Sequence, residues 1–263
     1  MRIAIDHTTH YRYERPVRYS TQYLRLLPKS SPRQKVLEWQ LITPAQPLQL
    51  SDGYGNILHV LTIDKPVSEI VIRSCGVVET SSSHDEQSDD VPLSPLLFLR
   101  PTLLTRPDEG LIELAEQFRR RAGTLSGLRD LASAILSKLP FQPGVTEVHS
   151  TAGEAYAAGN GVCQDHAHVF IACCRHLGIP ARYVSGYIYS AGHAESAVAS
   201  HAWAEAWVVD RWRSFDITNA SPAGAHHIRI AIGADYLEAS PVRGVRMGGG
   251  LESLVTHASV APQ

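Results

Sequence analysis

The side chains best suited to chemistry centre on one cysteine. Cys163 lies in the stretch GNGVCQDHAH at residues 159–168, after a glycine-containing turn and at the start of a predicted helix. A cysteine in the first turn of a helix lies near unpaired backbone N–H groups at the positive end of the helix dipole, which favours the nucleophilic thiolate. The same N–H groups suit an oxyanion formed when a thiolate attacks a carbonyl. There are two alternatives: Cys163 is a buried cysteine at an ordinary helix start, or it belongs to a metal site.

A cysteine nucleophile needs a base and a group that orients the base. Downstream, His201 begins one predicted strand, HAWAEAWVVD, and Asp216 lies near the end of the next, RWRSFDIT. A two-residue turn at Asp210 and Arg211 would place Asp216 opposite Glu205, about 13 Å along the strand from His201. We therefore expect a shifted register, with Glu205 as the alternative orienting group.

Two histidines beside the cysteine raise the metal hypothesis. His166 and His168 are two residues apart and would point to different sides of a helix, whereas zinc pairs on one helix favour a separation of four. The sequence offers no second CxxC-like or HxxxH pair. We therefore expect no metal, with one of these histidines on the helix surface and the other hydrogen-bonded in the core.

The elements that must position these residues change character along the chain. Residues 1 to about 80 contain short segments rich in Val, Ile, Thr and aromatics, separated by Pro, Gly and Asn. A polar, acidic stretch follows at residues 80–92, and from about residue 108 the apolar spacing becomes helical before strands return. The pattern predicts an α+β protein, with an antiparallel β sandwich over residues 1–85 and helices packed on an antiparallel sheet over residues 86–263.

Composition excludes several classes of protein. The chain has 263 residues, 44% of them hydrophobic, and a formal net charge of −2, so it can bury a large core but carries no basic patch for nucleic acid or anionic lipid. Its first residues lack the apolar run of a signal peptide or membrane span. Four cysteines are too few for a disulfide framework in a chain of this length. We expect a cytoplasmic protein that binds neither nucleic acid nor membranes.

Three separated blocks carry a resemblance to a known family. GVCQDHAHVFIACCRHLGIPARYVSGYI, HAWAEAWV and FDITN together resemble the core of bacterial transglutaminase-like proteins, which belong to the papain-like thiol superfamily. YRYERPVRYSTQYLRLLP resembles the β-rich N-terminal region that accompanies this core, and HIRIAIGADYLEASPVRGVRMGGG resembles its C-terminal segment. The resemblance implies Cys163 as nucleophile, His201 as general base and acid, and Asp216 as the group that orients His201. It implies no cofactor, and Ile217 stands where the family commonly has proline.

The resemblance also bears on the oxyanion hole. Papain-type proteases place a glutamine six residues before the cysteine, where this chain has Ala157. The backbone N–H of Cys163 is then the first expected donor, with Gln164 and Asn160 as candidates for the second. Each of these two is equally well explained as an ordinary turn or helix-start residue.

Two further residues are candidates for supporting roles. Asp165 would support the site through a hydrogen bond in the first helical turn, or would simply be an acid at a helix N-terminus. Trp203 would shield an acyl intermediate from water, or would pack within the sheet. The sequence does not choose between these interpretations.

The predicted activity is acyl transfer from an amide bond of a peptide or protein substrate through a thioester on Cys163. Hydrolysis of a peptide or isopeptide bond, as by a cysteine peptidase or amidase, is the expected outcome. The alternatives are a protein-glutamine transglutaminase that uses an amine acceptor, and a catalytically silent binding module of the same fold.

Overall fold

The computed structural model describes residues 1–81, 93–144, 146–189 and 200–262. Over these residues the protein has an α+β architecture. The first sheet begins at the N-terminus, the second lies within residues 181–233, and helices pack against the second sheet. In the described part of the chain, no helix is both long and apolar enough to span a bilayer.

The N-terminal sheet is built on one long, bent strand, β1 (Arg2–Leu24). Its first half lies between β5 and β11, and its second half lies between β4 and β10, all antiparallel. The other strands of this sheet are β2 (Gln34–Ile42), β3 (Leu48–Ser51), β4 (Ile57–Ile63), β5 (Val67–Thr80), β10 (Val242–Gly248) and β11 (Glu252–Pro262). Buried residues of β4, β5 and the bend of β1 pack together as a sandwich core between the two halves.

The last two strands of the chain join this N-terminal sheet. β10 pairs with the second half of β1, and β11 pairs with the first half. The boundary predicted between residues 85 and 86 lies outside the described residues. The sheets therefore do not divide the chain into two consecutive halves, because residues 242–262 return to the first sheet.

Helices supply the support for Cys163. They are α1 (Glu109–Glu116), α2 (Leu125–Lys138), α3 (Ala152–Ala158), α4 (Cys163–His176) and α5 (Tyr236–Ala239), with a short 3₁₀ turn at Pro95–Leu99. Capping by Asp108 and Thr124 begins α1 and α2, since each side chain accepts a backbone N–H three residues on. α4 is buried almost throughout and lies at the centre of the main core, so its first residue is held rigidly.

The second sheet carries His201, and Asp216 follows one of its strands. Its strands lie in the order β8 (Arg211–Phe215), β7 (Ser200–Val208), β6 (Ala181–Ile188) and β9 (His227–Gly233), all antiparallel. Alternate small residues of β7, namely Ala202, Ala204 and Ala206, belong to the core that contains α4. The intervening residues therefore lie on the opposite face of the sheet.

Side chains of the N-terminal sheet bind the backbone of β9. Gln34 accepts from the N–H of Arg229 and donates to its carbonyl, both at 2.8 Å. Asn56 does the same with Ile232, at 2.8 and 2.9 Å. These paired hydrogen bonds satisfy backbone N–H and C=O groups on the edge of β9, as an additional paired strand would. The two sheets are therefore packed together as one unit.

Candidate active site

Cys163 is presented by a tight connection between α3 and α4. Gly159 ends α3 in the left-handed conformation with φ 71°, which glycine adopts without strain. Asp165 then accepts hydrogen bonds from the N–H of Val162 at 2.8 Å and from the hydroxyl of Thr146 at 2.6 Å. Asp165 is thus a brace for the backbone directly before Cys163, and the structure gives it no contact with His201.

The turn between β7 and β8 sets the position of Asp216. Val209 and Asp210 form the turn, with φ of 53° and 62°, and Val208 pairs with Arg211. A turn at Asp210 and Arg211 would move the register by two residues and leave Asp216 too far from His201. In the observed register Asp216 Oδ2 accepts a hydrogen bond from His201 Nε2 at 2.8 Å, so the expected shift in register is confirmed.

The ring of His201 lies between the cysteine and the carboxylate. Its Nε2–H donates to Asp216, and Cys163 is close enough to raise the pKa of the ring, which leaves Nδ1 as the ring nitrogen available to the sulfur. Cys163 is partly exposed, whereas the side chains of His201 and Asp216 are 6% and 0% exposed. The structure therefore brings together Cys163, His201 and Asp216, which the sequence grouped, and Cys163 is the most exposed of the three.

Electrostatics in this buried cluster favour an ionic pair. Burial alone would lower the pKa of His201, but its hydrogen bond to Asp216 and its interaction with Cys163 outweigh burial and raise the pKa to about 10. Burial would likewise raise the pKa of Asp216, yet hydrogen bonds from His201 and His227 hold it well below its ordinary value. A protonated imidazole beside the sulfur stabilises a thiolate, which is the reactive form of cysteine.

Two residues around Asp216 were not singled out from the sequence. His227 Nε2 lies 2.8 Å from Asp216 Oδ2, the same oxygen that His201 contacts. Asn219 donates to both carboxylate oxygens, through its backbone N–H at 3.2 Å and its side-chain amide at 2.7 Å. The Asp-x-x-Asn spacing is a local turn signal that could have pointed to Asn219, but His227 comes from a different strand and has no such signal.

The two candidates for the second oxyanion donor differ in their surroundings. Gln164 donates from its side-chain amide to the carbonyl of Val148 at 3.1 Å, which ties it to the 146–150 loop. Asn160 has a buried Oδ1 with no hydrogen-bond partner within the described residues. The first hydrogen bond of α4 runs from His166 N to Val162 O, so the N–H of Cys163 precedes it and is free of the helix ladder.

Glu205 does not orient His201. Its Oε2 accepts from Arg182 Nε at 2.7 Å, and the two residues face each other across β6 and β7. Because the register is shifted, Glu205 lies opposite Ser214 rather than Asp216. The alternative role for Glu205 is therefore wrong.

Trp203 lies beside the imidazoles rather than over the sulfur. Its ring centroid is 6.2 Å from that of His201 and 5.2 Å from that of His227. It packs with Val184, Ala223 and Ile232 in a small core of its own, and a Cβ added at Gly186 would approach its ring to 2.7 Å. These contacts favour the packing interpretation, with the ring forming the apolar wall behind the cluster.

His166 and His168 are both fully buried, so the expectation that one of them lies on the helix surface is wrong. His166 donates from Nε2 to the carbonyl of Leu139 at 2.7 Å, and its Nδ1 pairs with Thr218 at 2.8 Å. His168 accepts the N–H of Tyr236 at 3.1 Å, and burial lowers its pKa to about 3. Each histidine ties α4 to a neighbouring segment, and His166 reaches the loop that follows Asp216.

Among the described residues, the group of side chains that could hold a metal ion overlaps the candidate active site. One atom each of His201, Asp216 and His227 lie within 4.8 Å of one another. However, the N–H of Gly224 donates to His227 Nδ1 at 3.1 Å, so neutral His227 carries its proton on Nε2, facing Asp216. This tautomer is a hydrogen-bond donor to the carboxylate and does not offer Nε2 to a metal.

Comparison with known proteins agrees with this geometry. Residues 3–79 match the bacterial transglutaminase-like N-terminal region, and residues 112–217, which include Cys163, His201 and Asp216, match the transglutaminase-like superfamily. An uncharacterised protein of Mycobacterium leprae (strain TN) is 30% identical over 96% of both chains. One of Mycobacterium tuberculosis (strain H37Rv) is 30% identical over 93% of this chain and 87% of its own.

A solved structure shares the whole fold. A protein of Cytophaga hutchinsonii, described as a proposed cysteine protease, superposes with a TM-score of 0.78 and 23% identity over 99% of this chain and 90% of its own. The likeness extends through both sheets, so the return of the C-terminal strands is part of the shared architecture. The chain belongs to the bacterial transglutaminase-like family, in which a β-rich N-terminal region accompanies a papain-like transglutaminase core.

Proposed function

We propose that the protein is a cysteine hydrolase that cleaves peptide or isopeptide bonds in a peptide or protein substrate. The observation that carries the proposal is the placement of partly exposed Cys163 beside His201, whose Nε2 hydrogen-bonds the buried carboxylate of Asp216 at 2.8 Å. A buried pair that keeps an imidazole protonated beside a partly exposed thiol suits nucleophilic attack, and a binding module has no need of it.

The reaction divides into two balanced steps. The thiolate of Cys163 attacks the amide carbon, and the C–N bond breaks as protonated His201 gives its proton to the leaving amine. The acyl group is then a thioester on Cys163, and His201 is neutral. In the second step His201 takes a proton from water, the hydroxide attacks the thioester carbon, and the C–S bond breaks to release the acid and the thiolate.

The first oxyanion donor in this proposal is the backbone N–H of Cys163, at the start of α4. Such donors typically contribute about 10²–10³-fold to the rate of acyl transfer. Asn160 is the stronger candidate for the second donor, because the side-chain amide of Gln164 already binds the 146–150 loop. Asp216 keeps His201 in the orientation that serves both proton transfers.

The test is incubation of the protein with a peptide library, with and without a primary amine, followed by mass spectrometry. We expect cleaved peptides from the wild type, none from Cys163→Ala, and unchanged cleavage from Cys75→Ala as the matched control. Incorporation of the amine instead of water identifies a transglutaminase. Products that persist in Cys163→Ala contradict the mechanism.

A second measurement separates an enzyme from a silent binding module. Iodoacetamide alkylation of Cys163 is followed by peptide mapping, with partly exposed Cys75 in the same chain as the reference thiol. An activated Cys163 reacts faster than Cys75 below pH 8. Equal rates for the two thiols at every pH favour the binding module.

A further inference from the structure

A second histidine binds the carboxylate of the site. His227 begins β9, its side chain is 7% exposed, and its Nε2 lies 2.8 Å from Asp216 Oδ2. The same oxygen accepts from His201 Nε2 at 2.8 Å, and the side-chain amide of Asn219 lies 2.7 Å away. One carboxylate oxygen is thus the meeting point of three donors.

The proton of His227 is fixed by the backbone. The N–H of Gly224 points at Nδ1 from 3.1 Å, so this nitrogen is an acceptor and the proton of the neutral ring lies on Nε2. Burial is the main cause that lowers the pKa of His227, outweighing the opposite effect of Asp216, while His201 and Arg33 add to the lowering. His227 is therefore a neutral donor at neutral pH.

A neutral donor suits this position for a physical reason. It stabilises and aims the carboxylate without adding a second positive charge beside His201, whose ring centroid is only 5.9 Å away. A cation at that distance would disfavour the protonated state of His201. The two imidazoles therefore differ in role although they share one acceptor.

The N-terminal sheet fixes the segment that carries His227. Gln34 holds both backbone groups of Arg229, two residues after it. On the other side, Arg33 donates to the carbonyl of Ala223, and Thr80 donates to that of Ala225. Residues before and after His227 are thus bound by side chains of the first sheet.

We propose that His227 is a positioning residue that aims Asp216 at His201, and that the N-terminal sheet holds His227 in place. This inference rests on the proposed function and deepens it, because it gives the N-terminal sheet a part in the same site. Without His227 the carboxylate loses one of its donors and can rotate away from His201, so the thiolate of Cys163 is less well stabilised.

The experiment measures iodoacetamide alkylation of Cys163 against pH in the full chain, with Cys75 as the internal reference. For His227→Ala we expect alkylation at neutral pH to slow by about tenfold, the scale of one hydrogen bond to a charged group. His227→Gln keeps an N–H donor near the position of Nε2 and should restore the rate to within about threefold of the wild type. His226→Ala is the matched control, since the neighbouring histidine is exposed, and Gln34→Ala should slow the reaction in the same direction by a smaller factor.

The outcomes are distinct. Equal alkylation of Cys163 and Cys75 in the wild type sinks the proposed function, whereas a fast wild-type Cys163 that is unchanged in folded His227→Ala sinks the positioning role alone. An unchanged Gln34→Ala removes the N-terminal sheet from the inference. If His227→Ala does not fold, nitrogen NMR of the wild-type ring decides: a neutral Nε2–H tautomer supports the proposal, and a cationic or Nδ1–H ring overturns it.

Discussion

Two buried ion pairs lie on the same face of β7, four residues apart. His201 donates to Asp216 at 2.8 Å, and Glu205 accepts from Arg182 at 2.7 Å. The side chains of both pairs are nearly inaccessible to solvent. The two pairs are alike in distance and burial, but they differ in whether the cation can transfer its proton.

The difference lies in the cation and in what it touches. The guanidinium of Arg182 does not give up a proton in proteins, and it stacks 4.0 Å from the centre of the Trp212 ring. His201 can lose its proton, and it interacts with a partly exposed cysteine at the start of α4. A buried ion pair therefore indicates chemistry only where its cation can transfer a proton to a group that a substrate can reach.

Asp216→Asn breaks the first pair and should have the largest effect. Without the carboxylate, His201 loses the hydrogen bond and charge that keep it protonated and oriented, so we expect acyl transfer to slow by about 10³–10⁴-fold. The measurement is the cleavage rate of any peptide identified for the wild type, with thermal melting as the check on folding. A loss below tenfold in a folded variant contradicts the role given to Asp216.

Glu205→Gln breaks the second pair and should affect stability instead. Arg182 would lose the buried carboxylate that it pairs with, and removing one partner of a buried ion pair costs about 3–5 kcal/mol of folding free energy. Urea unfolding measures this loss. In the folded fraction the ratio of Cys163 to Cys75 alkylation should match the wild type, and a fall as large as that of Asp216→Asn would show that the two pairs are coupled.

Local patterns made part of this site predictable. The turn at Gly159 and the end at Gly178, with φ 79°, bracket α4, so the placement of Cys163 at its start followed from sequence. The presence of β6, β7 and β8 after α4 followed from their β-branched and aromatic residues. These features depend on residues that are close together in the chain, so they can be predicted from the sequence.

Other features depended on contacts between distant segments. The hairpin turn uses Val209 at positive φ, which a β-branched residue rarely adopts, so propensity pointed to the wrong turn. His227 comes from a strand whose place beside β6 is set by long-range pairing. β10 and β11, near the C-terminus, pair with β1 near the N-terminus, and no local sequence pattern predicts this pairing.

The dependence of folding stability on alkaline pH should distinguish the two pairs, because His201 loses its proton there and Arg182 does not. The pKa of His201 is raised from 6.5 to about 10, so the stability from its charged form is fully present below pH 6.5 and is lost as the pH rises through about 10. We expect the free energy of unfolding to fall by up to about 1.4 kcal/mol per pH unit in this window. Asp216→Asn should flatten the fall, whereas a wild type as flat as this variant would contradict the raised pKa.

His168 is a buried imidazole that pairs with no carboxylate among the described residues, and its replacement should have the smallest effect at neutral pH. Burial lowers its pKa from 6.5 to about 3, so its contribution to stability is present above pH 6.5 and is lost as the pH falls towards 3. His168→Gln keeps an acceptor for the N–H of Tyr236 and should cost about 1 kcal/mol at pH 7. Urea unfolding between pH 7 and pH 4 should then show a shallower acid loss than in the wild type. Equal slopes would mean that His168 binds a proton in the folded state, and burial without a carboxylate would no longer explain why it differs from His201.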